Sequence, residues 1–350
     1  MNRRDFLKSS LLAAPMVSMG DHETPVVREE KSFSHDGRVL RMPWSGLTEP
    51  ARLCVIGDTH LSLCDARDAD HEIHCFRMGG RSDPKKKAEI QRHFTRTLAR
   101  AGEGQVDLIV LVGDIVSFPS LANVEFVRSS LDACGVPWIY VAGNHDWHFE
   151  GEEGSDLAQR ERWTKTRLAP LYQGENPLMS SRMVKGVRVV MIDNSAYHVL
   201  PEQVTFWRQE AAKGDPVCLC MHIPFWQPGW DVTTCACPEW GSATDPYWRI
   251  ERRQRWADRL MPSTFAFREA VLSTPNLVGV FAGHEHVDQF VRDRGQNLFT
   301  VAANRTGAAL FVEIGGSAPG ARVQTPLPPP VVPPDLQNGC QREGERSTQS

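Results

Sequence analysis

The chain has 350 residues, 41% of them hydrophobic, enough for the core of one large domain or two ordinary ones, so a chain disordered throughout is excluded. Its 39 Lys and Arg stand against 43 Asp and Glu, and a net charge of −4 gives no overall pull toward nucleic acid or an anionic membrane surface. Nine cysteines are too few for a disulfide scaffold, and no apolar run approaches the roughly 18–20 residues of a membrane-spanning helix.

The chain opens MNRRDFLKSSLLAAPMVSMG. Arg3 and Arg4, then Phe6, Leu7 and Lys8, then a weakly apolar run from Leu11 to Val17, resemble a bacterial twin-arginine export signal, although Asn2 stands where Ser or Thr is usual. The resemblance implies a signal peptide over residues 1–20, the twin-arginine export machinery as a partner, and a periplasmic or secreted protein. That route carries folded proteins, so a metal could be loaded before export.

From Arg52 short apolar runs alternate with segments of helical period, which predicts an α/β domain over residues 21–316. The strand-like runs are RLCVIG from Arg52, LIVLVG from Leu108, WIYVAG from Trp138, VRVVMI from Val187, VCLCM from Val217 and LVGVFAG from Leu277. Ser82, Asp83 and Pro84 start a helix whose Ile90, Phe94 and Leu98 recur every fourth residue, for about four turns. Further helices are expected over Ser120 to Cys134, stopped by Gly135 and Pro137, then from Ser155 to Leu168, Pro201 to Lys213 and Thr264 to Ser273. Residues 226–256 carry Trp, Cys, Pro and Gly without a sustained period and are expected to be an insertion or cap. The Pro-rich tail over 317–350 has too few apolar residues to pack, so polyproline II and disorder are expected there.

Five of the apolar runs end in clusters of metal-ligand type. These are DTH with Asp58 and His60, GD with Asp114, GNHD with Asn144, His145 and Asp146, then His222 alone, and GHEH with His284 and His286. Taken singly, a Gly-Asp after a strand is usually a turn and a buried His usually a hydrogen-bonded core residue. Loops at the strand ends of an α/β sheet converge on one crevice, however, so seven oxygen and nitrogen donors can meet there.

This ordered set resembles the calcineurin-like metallophosphoesterases, over about Arg52 to Gly316. The resemblance implies a four-layer α-β-β-α sandwich of two mixed β-sheets flanked by helices, around two divalent or trivalent metal ions such as Fe, Mn or Zn. One would be held by Asp58, His60 and His286, the other by Asn144, His222 and His284, with Asp114 bridging. Neutral imidazoles with few carboxylates leave such a centre positive, so it attracts phosphate and lowers the pKa of bridging water. The implied activity is hydrolysis of small-molecule phosphate esters, diesters ahead of monoesters, by in-line attack of the bridging hydroxide. His145 would protonate the leaving group and Asp146 would orient its ring. Purple acid phosphatases carry Tyr three residues after the bridging Asp, and Ser117 stands there. The alternative of another class is an exported protein that holds metals or a ligand without turnover.

Around these motifs, Trp147 is the aromatic expected to touch substrate. Trp226, Trp230, Trp240, Trp248 and Trp256 are expected to pack the insertion rather than to hold substrate. Cys54, Cys218 and Cys220 are expected as buried thiols, whereas Cys64, Cys75, Cys235 and Cys237 could pair as disulfides at the rim, with three pairings open. The basic stretches Lys85 to Arg100 and Arg249 to Arg259 are expected to be solvated helix faces.

Overall fold

Leu53 and Val55 face one way from their strand while Cys54 and Ile56 face the other, and all four are buried. A strand buried on both faces needs cover on both, and the computed structural model of the protein supplies it with two stacked sheets and a helical layer outside each. The structure describes residues 31–35, 39–71, 84–149, 152–241 and 259–315. The expected signal peptide, Ser82, Asp83, Cys75, residues 242–256 of the insertion with Trp248 and Trp256, and the Pro-rich tail lie outside them.

The first sheet contains β1 (Ser34–His35), β2 (Val39–Met42), β3 (Ala51–Ile56), β4 (Leu108–Val112), β5 (Trp138–Val141) and β12 (Leu310–Ile314), in the order β1-β2-β12-β3-β4-β5. The second contains β6 (Met179–Val184), β7 (Val187–Ile192), β8 (Val217–Cys220), β9 (Leu277–Ala282), β10 (Gln289–Asp293) and β11 (Gln296–Thr300), in the order β10-β11-β9-β8-β7-β6. Both sheets are mixed. β3-β4-β5 and β7-β8-β9-β11 run parallel, while β12 on β3, β6 on β7 and β10 on β11 are antiparallel.

Between the sheets, Leu53, Val55, Val110, Val112 and Val141 meet Val189, Met191, Cys218, Cys220 and Phe281. On the outer face of the first sheet, Cys54, Ile56, Ile109 and Leu111 pack against Phe94 and Leu98 of α1 (Pro84–Glu103) and Val127 and Leu131 of α2 (Leu121–Cys134). Beyond the second sheet, Val190, Ile192, Val217 and Leu219 pack against Trp207 of α5 (Pro201–Ala211) and Phe267 of α6 (Pro262–Leu272). The short helices α3 (Asp156–Lys165) and α4 (Ala169–Tyr172) add Trp163, Leu171 and Tyr172 to the first of these outer cores.

The helix ends follow local chemistry. Ser120 accepts the Asn123 amide at the start of α2, and Gly135, at a φ of 72°, closes its end in the left-handed conformation. α1 runs 20 residues, longer than the four turns expected, because Ala101 continues its buried face beyond Leu98. The helix expected from Ser155 to Leu168 instead ends at Lys165, and Pro170 sits in the first turn of a separate α4.

The first part of the insertion is core. The Trp226 amide donates to the Cys235 carbonyl and the Cys235 amide to the Pro224 carbonyl, and Phe225, Cys235, Ala236 and Trp240 are buried with the α5–α6 layer. No helix among the described residues is long and apolar enough to cross a membrane.

Candidate metal centre

Parallel strands bring their C-terminal ends to one edge, and here those ends meet across the two sheets. Asp58 and His60 follow β3, Asp114 follows β4, Asn144 and His145 follow β5, His222 follows β8, and His284 and His286 follow β9. Main-chain bonds lace the loops together: Asp58 N to Gly113 O at 3.0 Å, His60 N to Asp114 O at 2.9 Å, and Gly283 N to His222 O at 2.9 Å. Asp58, His60, Asp114, His284 and His286 all have φ between 50° and 74°. Non-glycine residues adopt that region at a cost of about 1–3 kcal/mol each, and it persists where the surroundings over-determine it.

The structure brings all seven candidate donors together in two joined groups. In one, Asp58 Oδ1 lies 3.2 Å from His286 Nε2 and 3.9 Å from His60 Nε2, and the two imidazole nitrogens are 3.0 Å apart. In the other, Asn144 Oδ1 lies 3.1 Å from both His222 Nε2 and His284 Nδ1. Asp114 Oδ2 stands between them, 3.2 Å from His222 Nε2 and 3.8 Å from His60 Nε2.

These atoms fit a pair of cations. Asp58 Oδ1 is buried and takes no hydrogen bond from any described residue. His222 Nδ1 lies 2.8 Å from the Val112 carbonyl, which can only accept, so the lone pair of Nε2 points at Asn144 Oδ1 and Asp114 Oδ2. Converging lone pairs with no donor among them need a cation or a proton.

The electrostatics agree. Burial, with the neighbouring His145 and His286 adding to it against the pull of Asp114, holds His60 well below the ordinary histidine pKa. Burial and the His222 charge push His284 down to about 3. Both rings are therefore neutral, the ligating form. Burial also opposes charge on His222, but Asp114, Asp58 and the Val112 carbonyl outweigh it and lift His222 to about 10. Without a cation, a proton on His222 neutralises part of the site.

Two glycines make room for this crowding. A Cβ on Gly143 would collide with Asp114 Oδ1, and one on Gly283 would come within 2.5 Å of Asp58 Oδ2, where the His284 amide already donates at 2.9 Å.

Three expectations are corrected. Asp146 does not orient His145. Its Oδ2 accepts the amides of Asp114 at 2.8 Å and Gly143 at 2.7 Å and its Oδ1 that of Val116 at 2.8 Å, while His145 Nδ1 is buried without a hydrogen-bond partner among the described residues. Asp146 thus positions the turn carrying Asp114, and backbone amides rather than the adjacent ring compete for it. Trp147 does not face substrate: it is fully buried, and Nε1 donates to Ser195 Oγ at 2.8 Å. Cys235 is a buried free thiol, pushed up to about 12 chiefly by burial, and forms no rim disulfide. Cys54, Cys218 and Cys220 are buried thiols, as expected.

His145 itself donates its amide to Asp114 Oδ1 at 2.8 Å, and its ring centre is 5.0 Å from that of His60. Sequence reasoning passed over Asn194, Ser195, Tyr197, Asn304 and Arg305. The Tyr197 ring meets His284 edge-on at 6.0 Å and Trp240 at 4.7 Å, and the Arg305 amide donates to the Asp58 carbonyl at 3.2 Å. The available signal was the run DNS directly after VRVVMI, one more polar cluster at a strand exit.

The family model for calcineurin-like phosphoesterases matches residues 51–288. The chain belongs to that family. A Psychrobacter arcticus protein named "Probable cyclic nucleotide phosphodiesterase" is 25% identical over 164 residues, which cover 43% of this chain and 56% of that protein. The match thus spans little more than half of the relative. Among solved structures, a dimetal phosphatase from Danio rerio aligns over 73% of this chain and 88% of its own at 13% identity, with a TM-score of 0.46. A purple acid phosphatase from yellow lupin, Lupinus luteus, aligns over 81% of this chain and 48% of its own at 14% identity, with a TM-score of 0.43.

Proposed function

We propose that this calcineurin-like phosphoesterase is an exported, dinuclear-metal-dependent hydrolase of small-molecule phosphate esters, with diesters preferred. The observation that carries the reading is the junction of two donor groups through one carboxylate. Asp58, His60 and His286 would hold one cation and Asn144, His222 and His284 the other, and Asp114 Oδ2 lies between the two donor groups. A shared carboxylate is what two neighbouring cations need, since it lowers their mutual repulsion, and a neutral Asn cannot replace it.

When bound, the two cations supply charge for the phosphoryl oxygens and acidify water. The chain's own groups do the rest. With imidazole and amide ligands adding no charge and only Asp58 and Asp114 bringing negative charge, the chain would leave two divalent cations with net positive charge toward phosphate. His145, tethered through its amide to Asp114, with its ring 5.0 Å from that of His60 and 6.4 Å from that of His148, gives a proton to the departing oxygen. Arg305, exposed and joined by its backbone to Asp58, places a further positive charge beside His60, where it holds the substrate's anionic oxygens.

GNHD and the name of the Psychrobacter relative favour diesters. The test compares bis-p-nitrophenyl phosphate with p-nitrophenyl phosphate, with Mn, Fe or Zn added. Faster turnover of the diester is expected. Faster turnover of the monoester would make the protein a phosphomonoesterase, and none on either with both cations bound would make it a binding protein. Export rests on Arg3 and Arg4, and changing both to Lys should leave the protein in the cytoplasm with its N-terminus uncleaved.

A further inference from the structure

The two cation sites are backed by different parts of the chain. Behind Asn144, His222 and His284 lies the turn at residues 193–197, after β7. Asn194 clamps both main-chain groups of Ile223, the residue after His222: its Oδ1 accepts the Ile223 amide at 3.0 Å and its Nδ2 donates to the Ile223 carbonyl at 2.7 Å. Ser195 gives its hydroxyl proton to Asp193 Oδ1 at 2.6 Å, which leaves its lone pairs for Trp147 Nε1 at 2.8 Å, three residues after Asn144. Tyr197 sets its ring edge-on against His284. One turn therefore touches the loop of every ligand in that group, and Asp193 is itself anchored beside the buried Arg160.

Behind Asp58 and His60 lies the turn at residues 303–305, after β11. The Asn304 amide donates to Gly57 O at 2.9 Å and the Arg305 amide to Asp58 O at 3.2 Å, and Asn304 Oδ1 accepts the Thr59 hydroxyl at 3.2 Å. Asn304 Nδ2 donates to Thr97 Oγ1 at 3.0 Å and to Ala308 O at 2.7 Å, which ties this turn to α1. Among the described residues, the hydrogen bonds of the Asn194 side chain do not reach the Asp58 turn, and those of the Asn304 side chain do not reach the His222 turn. Among the described residues the two halves are joined by Asp114, by the bond from the His284 amide to Asp58 Oδ2, and by the turn after β9, which carries His284 into one group and His286 into the other.

We propose that Asn194 and Asn304 are positioning residues for different cations, so that the affinity of each cation is set by its own turn: the 193–197 turn for the cation at Asn144, His222 and His284, and the 303–305 turn for the one at Asp58, His60 and His286. Partners outside the first ligand shell typically change metal affinity 10- to 100-fold, and here each change should fall on one cation only. The inference rests on the two-cation reading above.

The test is a Zn2+ titration of chelated, full-length protein, with binding measured by calorimetry and the histidine ring nitrogens followed by 15N NMR. In Asn194→Ala one Zn2+ should weaken about 10- to 100-fold, the other should stay within about threefold, and the first equivalent should shift the rings of His60 and His286. In Asn304→Ala the first equivalent should shift His222 and His284 instead. Trp147→Phe removes the N–H donor to Ser195 together with part of the buried ring, and should reproduce the Asn194→Ala pattern in weaker form, which keeps the test decisive if Asn194→Ala does not fold. The proposal is overturned if both variants weaken the same cation, if either weakens both cations equally, or if neither changes any affinity while the chelated proteins melt like the parent. A parent that takes up fewer than two Zn2+ per chain refutes the two-cation reading itself and takes this inference with it.

Discussion

Replacing Asp114 by Asn tests the electrostatic centre of the site without metal. Asp114 Oδ2 lies 3.2 Å from His222 Nε2, and both side chains are buried. With an effective dielectric constant of about 20, unit charges at that separation attract by about 5 kcal/mol, equivalent to between three and four pH units of titration. That is the size of the net rise of His222 from the ordinary 6.5 to about 10, with Asp58 and the Val112 carbonyl helping to offset burial. Asparagine keeps the shape and deletes the charge. In the chelated variant burial is opposed only by Asp58 and the Val112 carbonyl, so the His222 ring should titrate well below about 10, read from the 15N shifts of its imidazole across the pH range. The same variant should lose the cation at Asn144 and His222 first. The reasoning fails if parental His222 titrates near 6.5, or if the variant's ring keeps its high value in a protein with parental circular dichroism.

Further outcomes follow from the same geometry. A ligating His222 must be neutral, so cation uptake at pH 8 should release a proton from it, and affinity should rise about tenfold per pH unit between 7 and 9; calorimetry in two buffers of different ionisation enthalpy measures this, and zero release would contradict it. Because the folded pKa of His222 lies above that of an unfolded histidine, its contribution to the chelated protein's stability is complete below about pH 6.5 and is lost as the pH rises through about 10. Gly143→Ala should lose about 100-fold or more in kcat/KM, since its Cβ meets both Asp114 Oδ1 and the Asp114 main-chain nitrogen and the turn must shift; full activity would show that the approach is not needed. His145→Ala should retain both cations by elemental analysis and lose about 10²–10⁴ in kcat on a substrate with a poor leaving group, with a smaller loss on a p-nitrophenyl ester. Arg305→Ala should act mainly through KM, raising it about tenfold, and a change confined to kcat would place Arg305 elsewhere in the reaction.

Much of the fold was legible in the chain because the central strands are buried on both faces. Such strands are written as unbroken apolar runs, and RLCVI, LIVLV and LVGVFA match β3, β4 and β9 within a residue or two. The partly exposed strands were not legible: β10, QFVRD, is half-buried along its whole length, and β6, MSSRMV, mixes polar residues into a sheet edge, so neither leaves an apolar run. The seven donors were legible for a related reason. A charged or imidazole side chain directly after a buried strand is expensive unless it has a partner, so the clusters stand out against the runs they follow.

What the sequence determined by itself was therefore which residues must find partners; which partners they found was decided by tertiary structure. Asp146 adjoins His145 in the chain, yet its carboxylate turns to the amides of Asp114, Gly143 and Val116, because three fixed donors in a buried turn outweigh one neighbouring ring. Trp147 follows the metal-type motif, yet the turn directs its indole into the core onto Ser195. Asn194 and Asn304 sit far in the chain from Ile223 and Thr59; the pairing of β7 with β8 brings the first within hydrogen-bond reach of its partner, and the stacking of the two sheets the second. Burial pattern is a local property of a strand and is written in its residues, whereas the direction of a hydrogen bond depends on which backbone groups the packing of distant elements leaves unpaired.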